Sequence, residues 1–489
     1  MNFIQIGIVL SFAFSIIIGL FVGKKIKNNP LNFTVAGRKL PAILVSLALL
    51  AQAIDGNATL GNTQLSFDFG FWAGASLIIG LALSLFILGK FFAVRLYNLK
   101  LTTIVDLFEI KYGKKIGFIS AIILLLGFGV LLAGNIAAVG ILLNLFFNIK
   151  YTSAVIISCL VVLLYIFRGG ILSDVYVDIF QLILISIGVF STLFYLIFNY
   201  GFLNIFETST IFSKFNITQL YFVQEGALIN WATIFALAFG NLIAIDFGSR
   251  IFSAKSGDDA KKGCYWSAFL TLLIGLPFSF IIFYLLKMNV ISSDVPIIIT
   301  LAQNILPPFF GALLIAGIIN AALSTIDGAI LSMGNILTHN LIRVREEESS
   351  DKQSANKTVL YFLRISLIPI ACSAMIFALL LPSPGVLLSV AFDITFASLL
   401  IPFIFAFSHK LADSQAALYA IVAGGVSRVI FITLTPTLFG LVNPFYIQNS
   451  IVSPSLDGLG TILAPLIALV VYLVVIISKK KSQLHINNI

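Results

Sequence analysis

Apolar runs of about 20 residues recur along the whole chain and are separated by short polar turns. That spacing predicts helices that cross a bilayer, since about 20 apolar residues span its hydrocarbon core. The pattern yields thirteen candidate spans, at 4–23, 41–63, 70–93, 116–147, 153–168, 175–198, 229–250, 264–287, 307–339, 359–381, 385–408, 415–434 and 457–478. The predicted class is an all-α polytopic membrane protein with about 13 transmembrane helices. The first run does not read as a cleaved signal, because it lacks a basic leader and is followed by Lys24, Lys25 and Lys27.

Two spans break the apolar pattern. The span 41–63 carries Gln52, Asp55, Gly56, Asn57 and Thr59 in its middle, and 229–250 carries Gly240, Asn241, Asp246 and Gly248. Polar, glycine-bearing spans at corresponding positions of two halves point to the central site of a transporter. Counting five spans from each break divides the chain into an N-terminal extra helix and loop (1–40), a first five-helix repeat (41–198), an outer loop (199–228), a second repeat (229–408), and two C-terminal helices with a short tail (409–489). Five is odd, so the second repeat is inverted relative to the first.

Composition and charge agree with a membrane location. Sixty per cent of residues are hydrophobic and 10% charged, with a mean hydropathy of +1.08, which excludes a soluble globular protein. The net charge of +9 does not indicate a nucleic-acid partner. With the N-terminus outside, 23 of the 29 Lys and Arg fall on inside loops or the tail and only Lys150, Lys214 and Lys287 outside. This is the positive-inside bias of a plasma-membrane protein with its C-terminus inside. Cys159, Cys264 and Cys372 lie within spans without metal or disulfide spacing, and His339, His409 and His485 are scattered. Without a phosphate-binding loop, ATP is not the expected energy source. An enzyme is not expected; the partners are a small-molecule solute and the lipid bilayer, with the oligomeric state open.

The segment Gly311–Ser332 is apolar enough for a bilayer yet holds Asn320, Ser324, Thr325 and Asp327. A central Asp costs roughly 2.5–3.5 kcal/mol on insertion scales, so such residues usually face a cavity or ion. Hydroxyls beside freed backbone carbonyls suit a small hard cation; bonding of Ser and Thr back onto their own helix is the alternative.

Four motifs in order add a resemblance. Ala36-Gly37-Arg38, Gly169-Gly170 with Val177-Asp178-Ile179-Phe180-Gln181, Arg250-Ile251-Phe252-Ser253-Ala254-Lys255-Ser256 with Ala260, and Ala321-Ala322-Leu323-Ser324-Thr325 together resemble the sodium:solute symporter family. Val177 and Ser249 depart from its usual Thr and Gln. The choline-transporter-like and proline-transporter-like branches are the most similar. The resemblance implies a leucine-transporter-type fold with a 5+5 inverted-repeat core and Na⁺ as coupling ion. It also implies sodium ligands: the carbonyls of Ala53, Gly56 and Ala321 and the hydroxyls of Ser324 and Thr325.

Individual residues carry competing readings. Asp55 either tunes the sodium site and meets a cationic substrate group, or is satisfied by backbone N–H groups of the break. Asn57, Asn62 and Gln64 are candidates for reading a polar solute, with Ala244 and Phe247 from the second break. Asp178, Gln181, Asp246 and Arg250 are candidates for ion release or gating, although Asp246 and Arg250 also stand at i,i+4 spacing for a plain ion pair. Asp327 supports the sodium helix, and Asp393 with Arg428 forms an intramembrane pair. A quaternary ammonium needs an aromatic cage, but residues 50–60 hold no aromatic and 239–250 only Phe239 and Phe247. The expected function is sodium-coupled import of a small polar solute, an amine-bearing one favoured. The alternatives are a solute sensor acting through a partner, a proton-coupled transporter with Asp55 titrating, or an uncoupled one.

Overall fold

The computed structural model describes residues 1–26, 29–201, 214–288, 290, 295–344, 352–380, 386–449 and 451–487. Residues 202–213 of the expected outer loop lie outside them. The main helices are α1 (Phe3–Gly23), α2 (Ala42–Ala53), α3 (Gly56–Phe69), α4 (Phe71–Ile87), α5 (Lys114–Phe147), α6 (Tyr151–Tyr200), α7 (Ala227–Gly240) and α8 (Ile245–Ser253). They continue with α9 (Gly257–Lys287), α10 (Pro308–Ile336), α11 (Lys352–Leu380), α12 (Val386–Phe405), α13 (Ser414–Leu434) and α14 (Leu459–Asn487). A two-residue-per-strand hairpin, β1 (Thr437–Leu438) and β2 (Leu441–Val442), joins the last two.

Among the described residues, ten helices are long and apolar enough to cross a membrane. Two further spans are bent pairs, α2 with α3 at 50° and α7 with α8 at 48°. The 50-residue α6 would be about 75 Å long if straight, against a hydrocarbon core of about 30 Å. It turns at Gly170, whose φ of 52° and ψ of −149° are not helical. A Cβ there would meet the Phe33 carbonyl at 2.5 Å. Glycine is therefore required twice over, by backbone angle and by close approach. Counting each bent pair as one span and α6 as two restores the thirteen read from hydropathy.

Of the ten unbroken spans α10 is the most enclosed, with 83% of its apolar stretch buried, against 28% for α13 and 33% for α1. The polar helix read from sequence is thus the centre of the bundle, and the apolar all-round helices are its lipid-facing periphery. On one face, two of the quoted motifs lock together. Leu40 N–H donates to the Ser253 carbonyl at 3.0 Å and Lys255 N–H to that of Leu40 at 2.8 Å. Arg38 donates to the carbonyls of Lys100, Leu101 and Phe252 at 2.8, 3.0 and 3.2 Å. On the opposite face lie the end of α3, the starts of α7 and α12 and the hairpin.

Candidate functional site

The first break is held open by side chains. α2 stops at Ala53, Ile54 is non-helical (φ −98°, ψ 80°), and Asp55 caps α3 by accepting from Ala58 N–H at 2.5 Å. Asn135 of α5 completes the arrangement: its Oδ1 accepts from Gly56 N–H at 3.0 Å and its Nδ2 donates to Asp55 at 2.8 Å. Donors freed by unwinding thus find partners inside the protein, as a medium without water requires. Gly56 lets the break sit on α10, where an added Cβ would lie 2.5 Å from that of Ala322. The second break is a single tight turn, Asn241–Ile243, followed by Ala244 in a non-helical conformation (φ −58°, ψ 124°).

α10 places the Ser-Thr pair against the first break. Ser324 Oγ donates to the Ala321 carbonyl at 2.7 Å and lies 3.0 Å from that of Ala51. Gln52 Nε2 donates to the Ser324 carbonyl at 2.7 Å. The Gly56 carbonyl, at the start of α3, is approached by the Thr59 hydroxyl at 3.3 Å. Thr325 Oγ1 is buried and has no hydrogen-bond partner. A buried hydroxyl left unpaired is an exception that needs an explanation, and a hard cation beside helix-end carbonyls supplies one. The residues present therefore fit Na⁺.

Around the breaks, Asp55, Asp174, Asp178, Asp246 and Asp327 are all at most 1% exposed, and so is Arg250. Arg250 Nη2 lies 2.6 Å from Asp174 Oδ2 and 3.6 Å from Asp178 Oδ2. Asp327 accepts from the Tyr165 hydroxyl at 2.6 Å. The carboxylates of Asp174, Asp178 and Asp327 offer oxygens within 4.8 Å of one another. Asp246 accepts from the adjacent Phe247 N–H at 2.7 Å. Two of these five carboxyl groups lie within 4 Å of the guanidinium, and carboxyl groups buried in excess of cations take up protons or cations.

The other residues read from sequence divide into two groups. Asn57 stays at the break, donating to the Leu131 carbonyl at 3.1 Å with its Oδ1 buried and unpaired. Ala244 and Phe247 are buried at the second break. Gln181 is buried three residues along α6 from Asp178, with both amide atoms unpaired. Asn62 instead bonds Ser279, Ser66 and the Gly275 carbonyl at the middle of α3. Gln64 lies further out, bonded to Asp68 at 3.0 Å. The i,i+4 pair does not form: Arg250 reaches α6 instead of Asp246. Asp393 and Arg428 do pair, between α12 and α13. Sequence reasoning missed Asn135, Tyr165 and Asp174. Asn135 is a mid-span polar residue that hydropathy alone would flag; Asp174 sat in what reads as a Gly-Gly turn between spans.

The sodium:solute symporter family model matches residues 33–424. The chain belongs to the sodium:solute symporter family. Human high affinity choline transporter 1 is 24% identical over 397 residues, covering 77% of this chain and 67% of that protein. The sodium/proline symporter of Staphylococcus aureus is 23% identical over 391 residues, 76% of this chain and 74% of that one. In structure, a Na⁺-coupled sialic acid symporter in a substrate-bound, outward-open state superposes with a TM-score of 0.76 at 16% identity, over 96% of each chain. The fold is that of the leucine-transporter type, and the protein is an integral membrane transporter rather than an enzyme. It is a symporter of a small solute, with Na⁺ as the coupling ion.

Proposed function

We propose that this symporter imports a small amine-bearing solute across the plasma membrane by alternating access, with its N-terminus outside and its C-terminus inside. The observation that carries the reading is the imbalance at the breaks, five buried carboxylates against one buried guanidinium. Na⁺ would be held by the hydroxyls of Ser324 and Thr325 with carbonyls at Ala53, Gly56 and Ala321, pinning the first break against α10. Asp55 and Asp246, one from each break, then meet the ammonium of the solute, with Asn57 Oδ1 as a further acceptor. Ala244 and Phe247 supply the apolar wall. Opening of the Arg38 latch on the inner face lets Na⁺ leave past Asp178 and Gln181, and the Arg250 cluster guards that exit. One charge moving down 100 mV supplies about 2.3 kcal/mol, roughly a fifty-fold accumulation.

The test is uptake into proteoliposomes of radiolabelled amino acids, choline-like amines, sugars and carboxylates, driven by a Na⁺ gradient or by the same gradient of K⁺. Uptake of an amine that requires Na⁺ and disappears in Asp55→Asn supports the reading. Na⁺-driven uptake confined to sugars or carboxylates overturns the amine assignment. Amine uptake equal in both salts and driven by a pH gradient overturns the sodium ligands.

A further inference from the structure

On the outer face, at a distance from the breaks, a cavity of about 530 Å³ opens between the end of α3, the start of α7 and the β1–β2 hairpin. We infer that it is a capture site for a small organic ammonium, with Glu225, Gln219 and Phe439 as its binding groups. It rests on the amine reading only for the identity of the cation that fills it.

The lining combines a carboxylate with an amide oxygen that the protein leaves unpaired. Gln219 Nε2 donates to the Phe69 carbonyl at 2.8 Å, while its Oε1 is buried without a partner and the residue is only 8% exposed. Asn230 Nδ2 is likewise committed, to the Gln219 carbonyl at 2.9 Å. Glu225 accepts from the Thr218 hydroxyl, which leaves most of the roughly four lone-pair positions of a carboxylate open. Among the described residues lining the cavity none is basic. A small cation with N–H donors complements that carboxylate and that amide oxygen.

The hairpin closes the cavity with an aromatic at a strained position. Phe439 and Gly440 both have positive φ, 49° and 85°, the geometry of a two-residue turn that favours Asn-Gly. A phenylalanine held there costs on the order of 1–3 kcal/mol, and Gly440 N–H anchors the tip to Asp457 Oδ2 at 2.8 Å. Phe439 is buried, 4% exposed, and the half-exposed Phe69 ring lies beside Gly440 at the same tip. An ammonium held by the carboxylate beside an aromatic ring gains cation–π attraction as well as charge pairing.

A cysteine reporter tests this. Gln224→Cys lies on the rim and is exposed; Cys372→Ser removes the exposed native thiol and leaves Cys159 and Cys264 buried. The full-length protein in liposomes is labelled with neutral methyl methanethiosulfonate, with ethylammonium chloride or KCl present at equal concentration. The expected result is that ethylammonium slows labelling several-fold and KCl does not, and that protection is lost in Glu225→Gln and in Phe439→Asn, a substitution the turn accommodates. Equal labelling in the two salts overturns the capture site. So does protection that survives both substitutions. Protection without Na⁺-driven uptake of any amine leaves the capture site standing and overturns the transport reading; uptake without protection does the reverse.

Discussion

Thr325→Val separates a sodium ligand from a structural hydroxyl because the two roles predict opposite signs. Thr325 Oγ1 is buried with no partner, and an unsatisfied buried polar group costs about 1–3 kcal/mol. Valine keeps the branched shape and removes that cost, so the sodium-free variant should be more stable than the parent. The same change deletes one oxygen ligand. If that oxygen contributes about 2 kcal/mol, Na⁺ affinity falls roughly thirty-fold, at tenfold per 1.4 kcal/mol. The assay is thermal unfolding in detergent across a Na⁺ titration with K⁺ holding ionic strength, where stabilisation follows RT ln(1 + [Na⁺]/Kd). The expected outcome is a higher Tm in K⁺ and a Na⁺ curve displaced to higher concentration, with Thr325→Ser close to the parent. A Na⁺ curve that does not move in Thr325→Val would refute the ligand assignment. A lower Tm in K⁺ would show that the hydroxyl already has a structural partner. Ser324→Ala should behave differently, because Ser324 Oγ is bonded to the carbonyls of Ala51 and Ala321 and its loss destabilises with or without Na⁺.

Three further outcomes follow from the packing and charge of the bundle. Gly56→Ala drives a methyl to 2.5 Å from that of Ala322, an overpacking cost of about 1–3 kcal/mol; Na⁺-dependent uptake should fall and recover in Gly56→Ala with Ala322→Gly, and absence of rescue would place the fault elsewhere. Arg250→Gln leaves Asp174 and Asp178 buried without their guanidinium, a loss of about 3–5 kcal/mol, and Asp174→Asn in the same chain should return much of the lost Tm. At the start of α13, burial opposes the charge of Asp413, but Lys479 at 2.6 Å and the N–H groups of Gln415 and Ala416 outweigh it and hold the Asp413 pKa below the usual carboxylate value. A depressed pKa gives stability that is present above the ordinary carboxylate pKa of about 3.9 and is lost as pH falls through the lower folded value. The acid limb of a Tm–pH curve should therefore flatten in Asp413→Asn; an unchanged limb would mean the pair adds no stability.

Hydropathy was sufficient for the bilayer class, the spans and the two interruptions, because in a medium without water every buried polar residue leaves a visible gap in an apolar run. It also marked α10, whose Ser324, Thr325 and Asp327 are too costly for lipid and are all buried in the bundle. The division into two repeats and the orientation of the termini are expectations that rest on counting spans and on loop charge. The partners of those polar residues were not legible. Local spacing offered Arg250 the carboxylate of Asp246, four residues back on the same helix; the fold brings Asp174 of α6 to 2.6 Å instead, and the carboxylate of Asp246 turns to its own helix start. Asn135 carries no motif, yet it bridges the N–H of Gly56 and the carboxylate of Asp55. Asn62 and Gln64 share a helix with Asp55, but the bend turns that helix away and leaves them with α9 and the outer end. Periodicity reports which face of a helix is polar. Which charge neutralises which depends on contacts between residues 76 or 80 positions apart, and those are decided only when the helices pack.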